Sequence, residues 1–285
     1  MIVITAATGH LGRHVVTALL AKVPPAQLAI AVRDPAKAQD LAAQGIAVRH
    51  ADYEQPQTLR AAFAGADKVL LISGNDLGGG RARQHKAAVG AALEAGVRHL
   101  VYTSILGADR ARMGLAVDHL ATEQAITAAG IPATILRNGW YLENYTENLG
   151  AALAHGVILG AAGTGKVAAA ARRDYAEAAA AVLTTDGHVG KTYELAGDAA
   201  FTMAELAAAV AEQAGKPVAY QDMPEAAYRD ALVGFGLPAP LAAMLADSDT
   251  GITRGELASS STDLRTLIGR PTTTLRAAIA AALAK

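Results

Sequence analysis

The sequence predicts an α/β fold in which helices cover both faces of a doubly wound parallel sheet. Short runs of almost continuous apolar character recur through the first half of the 285-residue chain. Such runs are typical of strands that are buried on both faces of a parallel sheet. Helical patterns separate the runs, and a glycine-bearing turn follows the first one. This alternation of strand and helix favours a doubly wound sheet.

Six strands are predicted in the first half of the chain. They are IVIT (2–5), LAIAVR (28–33), IAVRHADY (46–53), KVLLIS (68–73), HLVYTS (99–104) and ATILRNG (133–139). In the helix predicted after the first strand, Leu11, Val15 and Leu19 lie on one face, which is the apolar stripe of a helix that packs against a sheet.

The pattern changes after about residue 145. A short strand is predicted in HGVILG, another in KTYELAG (191–197), and Thr202 and Glu205 have the spacing of a capping box at a helix start. We therefore predict a dinucleotide-binding domain over 1–145, with later strands returning to its sheet. Residues 146–285 form a smaller, helix-rich lobe on the substrate side.

Composition and charge exclude several classes of function. The chain has 25 Lys and Arg against 26 Asp and Glu, for a net charge of -1, and no dense basic stretch. A nucleic-acid partner or an anionic membrane surface is therefore not expected. Without cysteine, the chain has no disulfide, thiolate catalyst or cysteine-bound metal. No signal peptide or membrane span is predicted either, so we expect a cytoplasmic globular protein.

The turn after the first strand, TAATGHLG (5–12), resembles a phosphate-binding glycine loop. Gly9 and Gly12 occupy the second and third glycine positions of a GxxGxxG pattern, and Ala6 replaces the first. Glycines let the backbone approach a diphosphate, while the following helix supplies free N–H groups and the positive end of its dipole. Alanine fits the first position easily if its φ is negative and poorly if φ is positive. The alternative is a tight turn without a ligand.

The end of the second strand, AVRDPAKA, indicates which dinucleotide is bound. Sites for NAD usually hold an acidic residue here, whereas a cation suits the 2′-phosphate of NADP. Arg33 ends the predicted strand and Lys37 follows about one turn later, while Asp34 is positioned to cap the next helix. NADP(H) is therefore favoured over NAD(H). The alternative is that Arg33 and Lys37 are a solvated surface pair.

Together, TAATGHLG, VRDPAKA, ADY, LLIS, VYTSILGAD and LRNGWYLENY resemble the NmrA-like, atypical short-chain dehydrogenase/reductase group over the whole chain. Within this group the similarity is greatest to bacterial NAD(P)H:quinone oxidoreductases, followed by triphenylmethane reductases. The usual loop of the family is TGATGxLG, so Ala6 is a departure, and His10 occupies its variable position. The resemblance implies a Rossmann-like domain, a small C-terminal lobe and NADPH, with neither flavin nor metal.

The resemblance also implies which residues bind the cofactor: the glycine loop, the end of the second strand, the turn after the fourth strand and the NGWY segment. These residues are Ala6, Ala7, Thr8, Gly9, His10, Leu11, Gly12, Arg33, Lys37, Ser73, Gly74, Asn75, Asn138, Gly139, Trp140 and Tyr141.

The chain lacks the Tyr-x-x-x-Lys pair that supplies the proton in typical short-chain dehydrogenases. None of its eight tyrosines has a lysine four residues later, and the matching region reads DHLATEQAI, with His119 and Glu123. Ser104, His119 and Tyr141 are the remaining candidates for catalytic contacts. Ser104 ends the fifth strand and can bond a substrate oxygen. His119 is either a proton donor or an exposed helix histidine.

The segment RNGWYLENYTENLG is the candidate surface that encloses the substrate. It holds the only tryptophan, Trp140, together with Tyr141 and Tyr145, and flat rings stack on quinones and nicotinamide. Asn138 and Asn144 are placed to orient the polar edges of such rings by hydrogen bonding. The alternative is that Trp140 anchors the junction of the lobes.

The missing proton donor favours a particular substrate class. Reduction of an isolated ketone produces a basic alkoxide and needs a positioned acid, which contributes ~10²–10⁴-fold. Hydride addition to a quinone produces a delocalised phenolate that solvent can protonate. We therefore expect an NADPH-dependent oxidoreductase whose partner is a small, quinone-like acceptor. The alternative is a non-catalytic NADP(H)-sensing regulator of the NmrA type.

Overall fold

The computed structural model describes residues 1–284, and within them the chain forms nine strands. They are β1 (Ile2–Thr5), β2 (Leu28–Val32), β3 (Ala47–His50), β4 (Lys68–Leu71), β5 (His99–Ile105), β6 (Ala133–Asn138), β7 (Val157–Gly160), β8 (Thr192–Leu195) and β9 (Ala219–Asp222). All six strands predicted in the first half are present: β1 has the predicted ends, and the other five differ by one to three residues at one or both ends. The strand predicted at 191–197 is β8.

Seven of these strands form the main sheet, in the order β3-β2-β1-β4-β5-β6-β8. Strand β1 pairs in parallel with β2 on one side and with β4 on the other, so that Ile4 faces both Ile30 and Leu70. The strand order reverses between β1 and β4. In doubly wound sheets, ligands bind outside the carboxyl ends of the strands at such a switch point.

Thirteen α-helices lie within residues 1–284. They are α1 (His10–Leu20), α2 (Gln39–Ala42), α3 (Pro56–Phe63), α4 (Arg81–Glu94), α5 (Gly114–Ala129), α6 (Glu143–Thr146), α7 (Leu149–His155), α8 (Arg172–Thr184), α9 (Met203–Ala214), α10 (Glu225–Gly234), α11 (Ala239–Thr253), α12 (Asp263–Ile268) and α13 (Leu275–Leu283). Two 3-10 turns, Pro25–Gln27 and Pro35–Ala38, flank β2. None of the helices in this part of the chain combines the length and apolar character needed for a bilayer span.

The local sequence signals for helices are confirmed at two points. Leu11, Val15 and Leu19 are buried on α1. At the start of α9, the Thr202 side chain accepts from the Glu205 N–H while the Glu205 carboxylate accepts from the Thr202 N–H, which is a complete capping box. Reciprocal satisfaction of two free N–H groups stabilises the first turn of the helix.

The chain divides into two compact units, and each contains several stretches of sequence. The first unit holds Met1–Ile105, Asp118–Arg137 and Arg172–Tyr193, and the second holds Leu106–Val117, Asn138–Ala171 and the chain from Glu194 onward. The division at residue 145 stays a prediction, because the compact units are defined by contacts and not by one break in the sequence. In the first unit, strand and helix side chains form a continuous apolar core.

The second unit contains a polar cluster beside the two-stranded sheet of β7 and β9. Asp249 on α11 accepts a hydrogen bond from the Ala161 N–H at 2.9 Å. A Cβ on Gly160 would lie 2.8 Å from the Asp249 carboxylate and 2.9 Å from the Tyr220 ring, so only glycine leaves room for both side chains. Burial raises the pKa of Asp249 to about 6, since a carboxylate is poorly solvated there.

We predict that Asp249→Asn stabilises the protein above pH 6. The folded carboxyl keeps its proton up to about pH 6, whereas the unfolded one loses it near 3.8. The folded parent therefore binds more protons between these values, and its free energy of unfolding falls as pH rises through that window. The asparagine variant avoids this loss, worth on the order of 1–3 kcal/mol.

Urea unfolding from pH 4 to pH 8 measures this difference. The free energy of unfolding of Asp249→Asn relative to the parent should increase between pH 4 and pH 6 and then level off. Asp230→Asn, the same change on an exposed carboxylate of α10, is the control for the loss of a surface carboxylate. Parallel pH profiles for parent and Asp249→Asn would contradict the prediction.

Candidate dinucleotide-binding site

The loop after β1 has a left-handed residue at its first position. Ala6 has φ 49, and among residues 1–284 it is the only non-glycine residue with a positive φ. Its N–H donates to Ala31 O, and its own carbonyl accepts from the Gly9 N–H at 3.0 Å. Of the two cases left open by the sequence, the structure has the unfavourable one: the turn requires the conformation that glycine adopts without steric cost.

The two glycines of the loop have different structural roles. A Cβ on Gly12 would lie 2.6 Å from Ala7 Cα and closer still to Ala6 O, so α1 approaches the loop too closely for any side chain. A Cβ on Gly9 would meet only Ala6 O, at 3.2 Å. Gly12 is thus required by packing, whereas Gly9 is exposed at the helix start.

The amino end of α1 is open to an anion. Its N-cap residue is Gly9, no side chain caps the first turn, and the first turn has no acidic residue. Free N–H groups and the positive end of the helix dipole both favour a negative ligand group here. Around this point, Ala7 is buried, Thr8 is half-buried and His10 is exposed.

The residues after β2 include one unpaired cation. Arg33 directly follows the strand, is exposed, and makes no hydrogen bond or ion pair with any other described residue of the chain. Asp34 accepts from the Ala36 N–H at 3.1 Å and thereby caps the 3-10 turn, as predicted. The Lys37 ammonium lies 3.9 Å from the Asp34 carboxylate. Arg33 is therefore the free positive charge at this strand end.

The turn after β4 is held from both sides. The Ser73 N–H donates to Thr103 Oγ1 at 2.9 Å, and the Gly74 N–H donates to His85 Nε2 at 2.9 Å. The preceding N–H, that of Ile72, donates to Thr5 Oγ1 at 2.9 Å. Asn75, the next residue, is exposed. These bonds place the turn beside the end of β1, at the switch point of the sheet.

Ser104 belongs to a buried ion-pair network. Its hydroxyl donates to Glu123 Oε1 at 2.5 Å, and the same carboxylate accepts from Arg137 Nε at 3.0 Å and from an Arg137 terminal nitrogen at 2.7 Å. The hydroxyl hydrogen of Ser104 is therefore directed at Glu123. A substrate contact would have to use the lone pairs of the Ser104 oxygen, and this role stays a prediction.

His119 is buried, so the alternative of an exposed helix histidine is wrong. Its Nδ1 lies 2.8 Å from the hydroxyl of Tyr102. Burial, with the nearby charge of Arg81, lowers the pKa of His119 to about 3. The ring is therefore neutral at physiological pH, and it can offer an N–H but no imidazolium proton.

The NGWY segment lies in the second unit and pairs with residue 170 through its backbone. Trp140 O accepts from the Ala170 N–H at 3.1 Å, and Tyr141 forms a parallel bridge with the same residue. Asn138 is buried, and its Oδ1 has no hydrogen-bond partner among residues 1–284. The roles predicted for Asn138, Gly139, Trp140 and Tyr141 stay predictions.

The chain belongs to the NmrA-like family, whose model matches residues 1–255. It is 53% identical to quinone oxidoreductase 2 of Escherichia coli K12 over 275 residues, which is 96% of each chain.

Two solved structures show the same fold over the whole chain. An NADPH-dependent quinone oxidoreductase of E. coli in complex with NADPH has a TM-score of 0.97 and 51% identity, covering 99% of this chain and 100% of the other. A Citrobacter triphenylmethane reductase in complex with NADP(H) has a TM-score of 0.96 and 42% identity, with the same coverage. These similarities confirm the family resemblance and the Rossmann-like sheet.

Sequence reasoning missed His85, although this residue holds the Gly74 turn. It is fully buried on α4, between Arg81 and Ala88 on the same face. His85 follows Arg81 by four residues and precedes Ala88 by three, which is the spacing of one helix face. This spacing is the sequence signal that could have identified a histidine on the packed face of the helix. Among residues 1–284, no group of three or more His, Cys, Asp or Glu side chains is placed to hold a metal.

We predict opposite stability effects for two small changes in the loop. Ala6→Gly relieves the left-handed conformation and should raise the free energy of unfolding by up to about 1 kcal/mol, partly offset by the greater freedom of glycine in the unfolded chain. Gly12→Ala forces α1 away from the loop backbone and should lower it by about 1–3 kcal/mol.

Urea denaturation of the two variants and the parent measures both effects, and Gly9→Ala is the matched control, since its Cβ has only one close contact. Gly12→Ala should be clearly less stable than Gly9→Ala. Equal stability of these two variants would show that the close approach of α1 does not constrain the loop.

Proposed function

We propose that this chain is an NADPH-dependent oxidoreductase that transfers a hydride to a quinone or a similar electron-poor conjugated acceptor. The observation that carries this proposal is the open amino end of α1 at the sheet's switch point, next to the unpaired Arg33. Similarity to quinone and triphenylmethane reductases over nearly the whole chain supports catalysis over the regulatory alternative. We place the enzyme in the cytoplasm, where NADPH is regenerated.

The residues of the first unit fit the adenosine diphosphate half of the cofactor. The backbone from Gly9 to Gly12 presents N–H groups to the diphosphate, and the exposed Gly9 lets those oxygens approach closely. The guanidinium of Arg33 is free to pair with the 2′-phosphate in a charge-assisted contact. We assign Lys37 a weaker, screened contribution, since its ammonium already lies near Asp34.

The protonation states of the buried side chains suit a quinone. When bound, NADPH supplies the hydride. The acceptor then needs one proton to reach the hydroquinone level, and its delocalised phenolate can take that proton from water. A neutral His119 and a Ser104 hydroxyl directed at Glu123 are weak acids. An alkoxide from an isolated ketone would therefore find no strong donor among them.

Our proposal for the substrate side rests on the aromatic segment of the second unit. We assign Trp140 and Tyr141 to stacking on the acceptor, because flat rings and conjugated acceptors share extended π-faces. Asn138 Oδ1 is buried without a partner among residues 1–284. It can accept a hydrogen bond from the carboxamide of the nicotinamide. Orientation of the acceptor then supplies most of the rate enhancement.

We predict that purified protein oxidises NADPH rapidly with quinones and very slowly with simple aliphatic ketones. The loss of nicotinamide absorbance measures both rates, and NADPH without an acceptor gives the baseline. His119→Gln should lower the quinone rate only modestly, because water can supply the proton. Binding of NADPH without turnover of any quinone would contradict the enzymatic proposal and favour the regulatory alternative. Efficient ketone reduction that is lost in His119→Gln would contradict the proposed chemistry.

We predict that Arg33→Ala weakens the binding of NADPH but not that of NADH. A charge-assisted contact is worth ~1.5–3 kcal/mol, so the NADPH dissociation constant should rise roughly ten- to a hundredfold, while that for NADH should hardly change. Calorimetric titration with both cofactors measures the ratio. Arg60→Ala, which removes an exposed arginine paired with Glu94 on α4, controls for net charge. If the ratio of the NADPH and NADH dissociation constants is unchanged in Arg33→Ala, the contact with the 2′-phosphate belongs to Lys37 or another cation.

A further inference from the structure

The Gly74 turn is held by a histidine that the catalytic proposal does not use. The Gly74 N–H donates to His85 Nε2 at 2.9 Å, and His85 is fully buried on α4. Because an amide N–H can only donate, Nε2 must carry a lone pair, and the ring is therefore not an imidazolium. Its single proton lies on Nδ1. Burial lowers the pKa of His85 to about 4, which agrees with a neutral ring.

The proton on His85 Nδ1 determines which of the neighbouring hydroxyl groups accept a hydrogen bond from the ring. Nδ1 lies 2.9 Å from Thr122 Oγ1 and 3.4 Å from the hydroxyl of Tyr102. Thr122 donates its own hydrogen to Asp118 O at 2.8 Å, so Thr122 Oγ1 accepts from His85. Since His85 presents an N–H on that side, the Tyr102 hydroxyl cannot donate to it.

The short contact assigns the Tyr102 hydrogen to His119. The Tyr102 hydroxyl is 2.8 Å from His119 Nδ1. It also interacts with Thr122, but Thr122 Oγ1 already accepts the hydrogen of His85 Nδ1. His119 Nδ1 accepts, and a neutral ring with an accepting Nδ1 carries its proton on Nε2. The bond from the Gly74 N–H thus acts, through the His85 ring and the Tyr102 phenol, on which nitrogen of His119 is protonated.

Arg81 keeps this arrangement neutral. It is buried on the same face of α4 as His85, and its Nε has no hydrogen-bond partner among residues 1–284. A terminal nitrogen lies 3.9 Å from the Asp118 carboxylate. The positive charge disfavours protonation of both His85 and His119. Either ring would have to become a second buried cation beside the first, which is costly.

We infer that His85 is a positioning residue: it fixes the Gly74 turn for the dinucleotide and, through Tyr102, sets His119 as an Nε2–H donor. This inference deepens the proposed function and rests on it, because the 73–75 turn is assigned there to the cofactor. His85 acts through a backbone N–H on one side and a phenol on the other.

Three variants test the inference. His85→Leu removes both contacts and should weaken NADPH binding roughly five- to tenfold, as expected for one lost hydrogen bond. His85→Gln retains an acceptor for the Gly74 N–H and should bind NADPH within about twofold of the parent. The matched control is His99→Leu. His99 is another buried histidine bonded to a threonine, Thr134, at 2.8 Å, and it lies at the amino end of β5.

Calorimetric titration with NADPH and thermal melting separate positioning from general loss of stability. His85→Leu and His99→Leu should both lower the melting temperature, but only His85→Leu should lower NADPH affinity. Equal affinity losses in these two variants, or none in His85→Leu, would overturn the inference. Failure of the parent to bind NADPH would instead overturn the proposed function.

Nuclear magnetic resonance of the ring nitrogens tests the tautomers directly. In the parent, long-range ¹H–¹⁵N correlations should show His85 protonated on Nδ1 and His119 protonated on Nε2. In His85→Leu the Tyr102 hydroxyl is free to turn, and His119 should become a mixture of both tautomers. A parent His119 protonated on Nδ1, or an unmixed His119 in His85→Leu, would overturn the inference.

Discussion

The close approach of α1 to the loop after β1 is the constraint on which the candidate site depends. Gly12 has no side chain, and this lets the helix backbone pack directly on Ala6 and Ala7. The first turn of α1 follows β1 directly, and β1 is one of the two strands at the switch point. The close approach also requires the chain to turn sharply at Ala6, which explains the positive φ there. The backbone strain at residue 6 therefore accompanies this packing contact.

Apart from Arg81, whose ion pair with Asp118 is 3.9 Å long, the buried polar groups around His119 are neutral or paired. Glu123 is neutralised by Arg137 and bonded by Ser104. The rings of His85 and His119 are neutral, because each is desolvated close to the positive charge of Arg81. Neutral donors and a compensated carboxylate together make a poor acid. It is compatible with an acceptor that stabilises its own negative charge by delocalisation.

Features with a local sequence signal were predictable. Continuous apolar runs located the six strands of the first half and β8, and the spacing of Thr202 and Glu205 located the start of α9. These signals are readable because neighbouring residues determine them. The role of Asp34 as a cap was predictable for the same reason.

Features that depend on distant contacts were not predictable from the sequence. The glycine position that Ala6 occupies left both signs of φ open, because alanine itself favours a negative φ and the sign depends on how closely the chain turns after β1. The partner of Glu123 comes from β6, and the partner of the Gly74 N–H comes from the next helix, α4. Which nitrogen of a histidine carries the proton follows only from such a network.

The bond between Gly74 and His85 also has a dynamic consequence. Amides in turns usually exchange their hydrogens with water quickly, because no regular ladder protects them. Here the N–H is bonded to a fully buried imidazole, so it exchanges only when the turn and α4 separate. The exchange rate of this one amide therefore reports the opening of the helix from the sheet edge, on a timescale much slower than ordinary loop motion.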